Sequence, residues 1–156
     1  MRLSPVARAQ ARPRKADLTK GQEIRRYRRP GHIESLAFDQ SGQRLFLGTQ
    51  EGNIEIHNVE TGNQLGALVG HTFKVFSLRM LPGNRLVSTA FDDSIRLWDL
   101  TRGKEIDCVS QVGKSAAFAD VSPDGRRLVC GAGWKTVMHM ERYNEYRLRQ
   151  FLLPAR

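Results

Sequence analysis

The residues best suited to chemistry in this chain are a histidine, a serine and an aspartate: His71, Ser88 and Asp92. They are the residue types of a hydrolase triad, in which the histidine activates the serine as a nucleophile. Such a serine usually sits in a strained turn within a G-x-S-x-G motif. Ser88 lies instead in an ordinary strand-like run, RLVSTA, without that motif. We therefore predict that the chain is not an enzyme, and we assign no catalytic residue.

Metal and disulfide chemistry have equally little support. His57 and His139 fall in equivalent strand-like runs, but no other ligand stands at metal-binding spacing, so we interpret them as core or surface histidines. Cys108 and Cys130 are the only cysteines, and two scattered thiols suit a reducing compartment. The sequence thus predicts no metal site, no cofactor and a cytoplasmic location.

The positive charge of the chain is concentrated at its start. Residues 1–30 contain ten Lys or Arg and two acidic residues, which gives +8 of the total net charge of +9. The remainder is nearly neutral, which weakens any inference from net charge to a nucleic-acid-binding domain. No apolar run approaches the length of a membrane span, so we predict no membrane association. Residues 1–19 are predicted to be a basic, disordered tail.

The elements that would position the polar residues come from an internal repeat. Similar segments begin 41 residues apart: ADLTKGQEI at Ala16, HNVETGNQL at His57 and WDLTRGKEI at Trp98. Each contains a glycine at the same offset between two strand-like runs. Because glycine tolerates positive φ, this pattern predicts a hairpin turn in every unit.

A second series lies half a period away: FDQSGQRLFLG, MLPGNRLVSTA and VSPDGRRLVCG. Each consists of a short strand, a turn rich in Pro, Gly or Asp, and a second strand. The body of the chain shows no helical periodicity. Units of about 40 residues with four short strands are typical of β-propeller blades.

The repeat resembles that of WD-repeat proteins, most closely between Gly70 and Leu100, where a Gly-His pair begins the unit and a Trp-Asp pair ends it. The resemblance covers roughly residues 17–153. It implies an all-β fold of β-propeller blades with four antiparallel strands each, as a partial or oligomer-completed propeller. The implied segment is 20–153, with repeats at about 31–69, 70–110 and 111–153 and an extra strand at 20–28.

In this family a His, a Ser or Thr, an Asp and a Trp form a hydrogen-bonded tetrad within a blade. By position, the resemblance implies a structural tetrad of His71, Ser88, Asp92 and Trp98. A buried tryptophan needs an acceptor for its indole N–H, and a fully satisfied polar network fixes one geometry. The same residues are thereby explained without catalysis, and Asp99 is expected to close the strand end.

The outer repeats depart from this pattern. The first has Leu47 at the serine position, Glu51 at the aspartate position and His57 in place of the tryptophan. The third has Cys130 at the serine position, where it is expected to fill a small core site. We expect these blades to depend on apolar packing and to be softer than the middle one.

Candidate partner-binding residues follow from the same resemblance. In the family, side chains at the start of the first strand and just before the tetrad Asp line the top face and contact partners. By position these are Lys74, Phe76 and Phe91. Exposed aromatic residues beside a lysine are typical of an interaction hot spot. The alternative is that Phe76 packs against a neighbouring blade.

The densest charge run is IRRYRRP, residues 24–30. One interpretation is an edge strand that its charges protect from aggregation. The other is a phosphate-binding edge with Tyr27 stacking on a base, whose binding would weaken steeply as salt rises.

The number of blades is a further problem, because propellers usually close with four to eight blades and three cannot ring a channel. The chain could belong to a longer propeller, could assemble as a homo-oligomer, or could be completed by another protein. The predicted function is that of a non-catalytic module for protein interaction or scaffolding, with other proteins as partners. The alternative is a nucleic-acid-associated protein that uses the basic N-terminal segment.

Overall fold

Three four-stranded sheets make up the described structure. The computed structural model describes residue 26 and residues 28–110, 119–132, 136–144 and 147–152, and from residue 132 onward it gives the backbone of the strands. Sheet 1 contains β1–β4, sheet 2 contains β5–β8 and sheet 3 contains β9–β12, each as an antiparallel meander. The strands are β1 (Ile33–Phe38), β2 (Arg44–Thr49), β3 (Ile54–Asn58), β4 (Gln64–Leu68), β5 (Val75–Leu81), β6 (Arg85–Ala90), β7 (Ser94–Asp99), β8 (Lys104–Ser110), β9 (Ala119–Val121), β10 (Arg127–Ala132), β11 (Thr136–Asn144) and β12 (Arg147–Leu152). The predicted all-β fold of four-stranded antiparallel blades is confirmed.

The hairpin turns explain why the sequence divides in this way. Gly42 and Gly83, 41 residues apart in the chain, occupy the turns between the first two strands of sheets 1 and 2, with φ of 70° and 79°. Left-handed backbone at these positions favours glycine. The third member of the series, Gly125, has φ of 67° in the β9–β10 turn. Each sheet falls within one of the three repeats inferred from the sequence.

Sheet 2 buries both of its faces. Alternate side chains along a strand point to opposite faces, so Leu86 and Val87 point in opposite directions. Leu86 joins an apolar cluster with residues of sheet 1, whereas Val87 joins a second cluster with residues of sheet 3. The buried members of the first cluster are Phe46, Ile54, Leu68, Val75, Leu78, Leu86, Ala90, Trp98 and Leu100. Those of the second are Leu81, Val87, Ile95, Leu97, Ala119, Leu128 and Cys130.

Side chains connect the first strands of neighbouring sheets. The hydroxyl of Ser35 in β1 donates to the carbonyl of Val75 in β5 at 2.7 Å. Likewise, Ser77 in β5 donates to the carbonyl of Ala119 in β9 at 3.2 Å. Gly48 permits the first of these contacts, since a Cβ there would stand 2.2 Å from the Ser35 hydroxyl oxygen. Packing and side-chain hydrogen bonds therefore hold the sheets against one another.

The chain divides into two units, Met1–Pro30 and Gly31–Arg156. Of the first unit, only residue 26 and residues 28–30 are described, and none of these lies in a strand. The predicted tail at 1–19 and most of the predicted extra strand at 20–28 lie outside the described residues. Over the described part of the chain, no helix has the length and apolar character needed to cross a membrane.

Candidate functional site

The tetrad positions of sheet 2 form one continuous chain of hydrogen bonds. The indole Nε1 of Trp98 lies 2.8 Å from the Oγ of Ser88, which lies 2.6 Å from the Nε2 of His71. The Nδ1 of the same imidazole is 2.9 Å from the Oδ2 of Asp92. Strand β6 supplies the serine, β7 the tryptophan, and the loops before β5 and after β6 supply the other two residues. The structure thus brings together the four residues that the sequence singled out.

The direction of each hydrogen bond follows from what its groups can donate. The indole can only donate and the carboxylate can only accept. Trp98 therefore donates to Ser88, Ser88 donates to His71 Nε2, and His71 Nδ1–H donates to Asp92. Every group is satisfied with the imidazole neutral. Burial lowers the pKa of His71, against the opposing influence of the Asp92 charge and hydrogen bond.

The carboxylate of Asp92 also connects two loops through hydrogen bonds. Its Oδ2 accepts the backbone N–H of Thr72 at 3.0 Å, and its Oδ1 accepts the hydroxyl of Ser94 at 2.7 Å. Burial disfavours its charge, but the hydrogen bonds from Ser94 and Thr72, together with the interactions with His71, outweigh burial and hold the pKa of Asp92 below its ordinary value. The loop before β5 and the turn after β6 are consequently tied to one carboxylate.

The surroundings of Ser88 argue against a nucleophilic role. The residue is fully buried, and the bond from Trp98 occupies its oxygen. A serine nucleophile must meet its substrate, so the hydroxyl would need to be accessible. Packing of this kind is suited to fixing the position of the tryptophan in the core.

The glycine of the Gly-His pair and the aspartate of the Trp-Asp pair have different structural roles. A Cβ on Gly70 would stand 2.9 Å from the Cη2 of Trp98, so a larger residue at this position would require the buried indole ring to shift. At the other end, the Oδ1 of Asp99 accepts the backbone N–H groups of Thr101 at 2.8 Å and Arg102 at 3.0 Å. Asp99 therefore organises the turn that follows β7.

Three aromatic side chains form a cluster, which we call the aromatic patch: Phe73, Phe76 and Phe91. The ring centroids of Phe73 and Phe91 are 5.6 Å apart, and those of Phe76 and Phe91 are 5.7 Å apart in an edge-to-face arrangement. Phe73 and Phe91 are 45% and 47% exposed, whereas Phe76 is partly buried. The patch is therefore a preformed apolar surface rather than part of the core.

The backbone beneath the patch is fixed by local bonds. The N–H of Phe91 donates to the carbonyl of Lys74 at 2.9 Å. Lys74 lies beside the patch, with its Nζ 3.7 Å from the Oε1 of Glu34 in sheet 1. Gly52, also from sheet 1, packs so closely that a Cβ would stand 2.5 Å from the carbonyl oxygen of His71. The predicted Lys74, Phe76 and Phe91 thus lie close together.

Phe73 is the member of the patch that the sequence analysis missed. It lies in a loop outside the strand alternation, so no periodic pattern indicated the direction of its side chain. A phenylalanine in a polar loop next to the Gly-His pair was the one available signal. Ser94 was missed for a similar reason, because the family pattern assigns the aspartate a histidine partner and not this hydroxyl.

The remaining candidates have ordinary surroundings. The Nε2 of His57 lies 2.9 Å from the Oε2 of Glu55, and its Nδ1 lies 3.2 Å from the carbonyl of Gly62. His139 lies in β11, where the backbone alone is described. Among the described residues, no group of three or more His, Cys, Asp or Glu could hold a metal ion. Cys130, at the register position equivalent to Ser88, is buried, and burial raises its pKa to about 11.

Comparisons of the sequence with family models and with known proteins agree on one family of repeat proteins. A model of the WD domain, G-beta repeat, matches residues 62–99. Telomerase protein component 1 of Mus musculus is 30% identical over 129 residues, which is 79% of this chain and 5% of that protein. An uncharacterized WD repeat-containing protein, sll1491 of Synechocystis, is 29% identical over 119 residues, 74% of this chain and 34% of that protein. The chain therefore spans about a third or less of the length of these relatives.

A solved structure shows the same architecture. The β-propeller domain of Cps50 (Swd1) from Myceliophteria thermophila superposes with a TM-score of 0.72 at 25% sequence identity. The match covers 81% of this chain and 40% of that chain.

Proposed function

Because this chain belongs to the WD-repeat family, whose β-propeller domains generally mediate protein interactions and are generally non-catalytic, we propose that it is a non-catalytic module for protein interaction or scaffolding. The observation that carries this proposal is the aromatic patch. Exposed aromatic side chains are enriched at protein interfaces, where aromatic residues often dominate the binding energy. Ser88 is the residue that would be the nucleophile of a hydrolase triad, and its complete burial supports the non-catalytic part of the proposal.

The tetrad supports this function indirectly. Asp92 accepts hydrogen bonds from His71 and Thr72, immediately before Phe73, and follows Phe91 in the chain. Two of the three rings are therefore carried by backbone that one buried carboxylate holds in place. A surface fixed in this way loses little conformational entropy when a partner binds.

The test is to locate the partner through the patch itself. A photo-crosslinking residue, p-benzoylphenylalanine, would replace Phe91 in the full chain, expressed in cells of the organism that the sequence comes from. Proteins crosslinked to it would be identified by mass spectrometry. A matched control carries the same residue at Leu65, which is 56% exposed and lies in sheet 1. We expect one or more proteins to crosslink from position 91 and not from position 65.

Binding measurements with the identified protein then give the contribution of the patch. Phe91→Ala and Phe73→Ala should each weaken binding about 30-fold, the effect of losing a hot-spot residue worth about 2 kcal/mol. Circular dichroism would establish that each variant is folded. Identical crosslinks from both positions, or unchanged affinity in both alanine variants, would reject the patch as the interaction surface.

The nucleic-acid alternative rests on the basic N-terminal segment, which lies largely outside the described residues, and on a relative named as a telomerase component. Deletion of residues 1–19 tests it. Loss of all affinity for polyanions, with protein partners retained, would favour this second function for the segment.

We also propose that the chain acts in the cytoplasm. Cys108 and Cys130 are both free thiols, one exposed and one buried, as suits a reducing compartment. Cell fractionation followed by detection of the chain would test this location.

A further inference from the structure

Carboxylates outnumber basic side chains in the segments that surround the aromatic patch. Two of its rings lie in the loop before β5 and in the turn after β6, and sheet 1 contributes the β2–β3 turn and the start of β1 beside them. Together these segments are residues 32–34, 50–53, 69–74 and 91–93. They contain one lysine, Lys74, no arginine, and four carboxylates: Glu34, Glu51, Asp92 and Asp93. The charge of these segments is therefore opposite in sign to the net charge of +9 of the whole chain.

Sheet 1 brings two of the carboxylates to the patch. The Oε1 of Glu34 lies 3.7 Å from the Nζ of Lys74, which follows Phe73 in the chain. Glu51 is exposed and precedes Gly52, where a Cβ would stand 3.1 Å from the backbone nitrogen of Phe73. Both carboxylates therefore belong to residues that lie beside the loop carrying Phe73.

The turn after β6 supplies the other two carboxylates. Asp92 and Asp93 directly follow Phe91 in the chain. Burial opposes the charge of Asp92, but its hydrogen bonds and its interactions with His71 hold its pKa below the ordinary value. Burial lowers the pKa of His71 and so favours the neutral imidazole. The tetrad consequently adds a net negative charge next to the patch at neutral pH.

The exposed rings favour the same kind of partner group. The face of an aromatic ring is electrostatically negative and attracts a cation that lies within about 6 Å of the ring centroid. Phe73 and Phe91 are each nearly half exposed, and their ring planes are tilted by 44° rather than stacked. Coulomb attraction acts over about 8 Å at physiological ionic strength, so carboxylates on adjoining residues can attract a cation on these rings without touching it.

We propose that the aromatic patch binds a segment of a partner protein that carries an arginine or lysine side chain next to an apolar side chain. The cationic group rests on the ring of Phe73 or Phe91 and is attracted by the neighbouring carboxylates, while the apolar side chain packs against the remaining ring surface. This inference depends on the interaction function proposed above and adds the chemical class of the partner. A chain with a net charge of +9 would attract acidic partners through its total charge, so the local preference is the opposite of the nonspecific one.

Selection from a library of random peptides displayed on phage tests the class of partner. The full chain is the bait, and peptides that also bind Phe91→Ala are removed, so the remaining peptides depend on the patch. We expect these peptides to be enriched in arginine or lysine beside an aliphatic or aromatic residue. In a synthesised copy of a selected peptide, replacement of arginine by citrulline, or of lysine by glutamine, should weaken binding about tenfold in fluorescence anisotropy titrations.

Variants of the chain that neutralise one charge test the carboxylates. Asp93→Asn and Glu51→Gln keep the size of the side chain, and asparagine tolerates the positive φ of 58° at position 93. Each should weaken binding of the cationic peptide about threefold, and the effect should diminish as the salt concentration rises. Lys74→Gln should strengthen binding, because it removes the ammonium group that partly compensates Glu34. The matched control is Glu60→Gln, the same change of charge in the β3–β4 turn at the other end of sheet 1, which should leave the affinity unchanged.

Two results would show that the class of partner is wrong. One is a set of patch-dependent peptides without cationic residues, and the other is a cationic peptide that binds Asp93→Asn, Glu51→Gln and the Glu60→Gln control equally well. In both cases the peptides still depend on Phe91, so the patch stays an interaction surface. A selection that gives no peptide dependent on Phe91 would also overturn the inference, and crosslinking from position 91 then decides separately whether the patch binds a protein. Circular dichroism checks that every variant is folded.

Discussion

Replacement of Ser88 by alanine tests the tetrad most directly. The hydroxyl both accepts from the indole of Trp98 and donates to His71, and all three side chains are buried. Removing it leaves one donor and one acceptor without partners, and each unsatisfied buried group costs about 1–3 kcal/mol. We therefore expect Ser88→Ala to lower the free energy of unfolding by about 3 kcal/mol. For a unit of this size, that loss lowers Tm by roughly 10–15 °C.

Urea and thermal unfolding, followed by circular dichroism, would measure this loss. The matched control is Ser110→Ala, at an exposed position at the end of β8, which should change stability by less than about 0.5 kcal/mol. In a Trp98→Phe background the indole donor is absent, so Ser88→Ala should cost about 1 kcal/mol less than in the wild type. A Ser88→Ala variant as stable as the control, or equal costs in both backgrounds, would refute the view that the network stabilises the blade.

Three further predictions follow from other features. Thr89→Val should raise the free energy of unfolding by about 1 kcal/mol, because the buried Thr89 hydroxyl has no hydrogen-bond partner among the described residues. Urea titrations would measure this gain, and a loss of stability would indicate that the hydroxyl has an unrecognised partner. Burial keeps the pKa of His71 below its ordinary value of 6.5. Below pH 6.5 the unfolded chain therefore binds a proton that the native state excludes. The free energy of unfolding should accordingly be highest above pH 6.5 and should fall as the pH drops below that value. His71→Asn should lose this part of the pH dependence, and an unchanged slope would contradict the assignment. Gly52→Ala should destabilise by more than Gly42→Ala in thermal melts, because both have positive φ but only the Gly52 Cβ would collide with backbone; equal costs would show that the loop yields.

The periodic parts of this molecule were accessible from the sequence. Glycines recurring at 41–42 residues indicated the turns, and the alternation in runs such as SIRLWD indicated strands with two different faces. Both signals are local, since φ at a turn and the direction of a side chain along a strand depend on a few neighbouring residues. The tetrad positions came from the family resemblance rather than from periodicity.

Other features depend on contacts between distant segments and left little trace in the sequence. Phe73 and Phe91 meet where Asp92 connects their loops, and a motif read along the chain does not show that hydrogen bond. Phe38 is an alternating apolar residue like any core residue, and its exposure became visible only with the order of the sheets. Sequence patterns identify which side of a strand is apolar, whereas the packing of whole sheets decides whether that side is covered.

The hydroxyl contacts between first strands have a consequence for how such a chain can change in length. Each sheet completes its own backbone ladder, and Ser35 and Ser77, 42 residues apart, make the link to the next sheet with a side chain. Duplication or loss of one whole unit would therefore leave every ladder intact and require only a matching hydroxyl and a matching apolar face at the new junction. In an architecture of this kind a change in the number of units is compatible with every backbone ladder, provided that each junction keeps its side-chain hydrogen bond and its apolar contact.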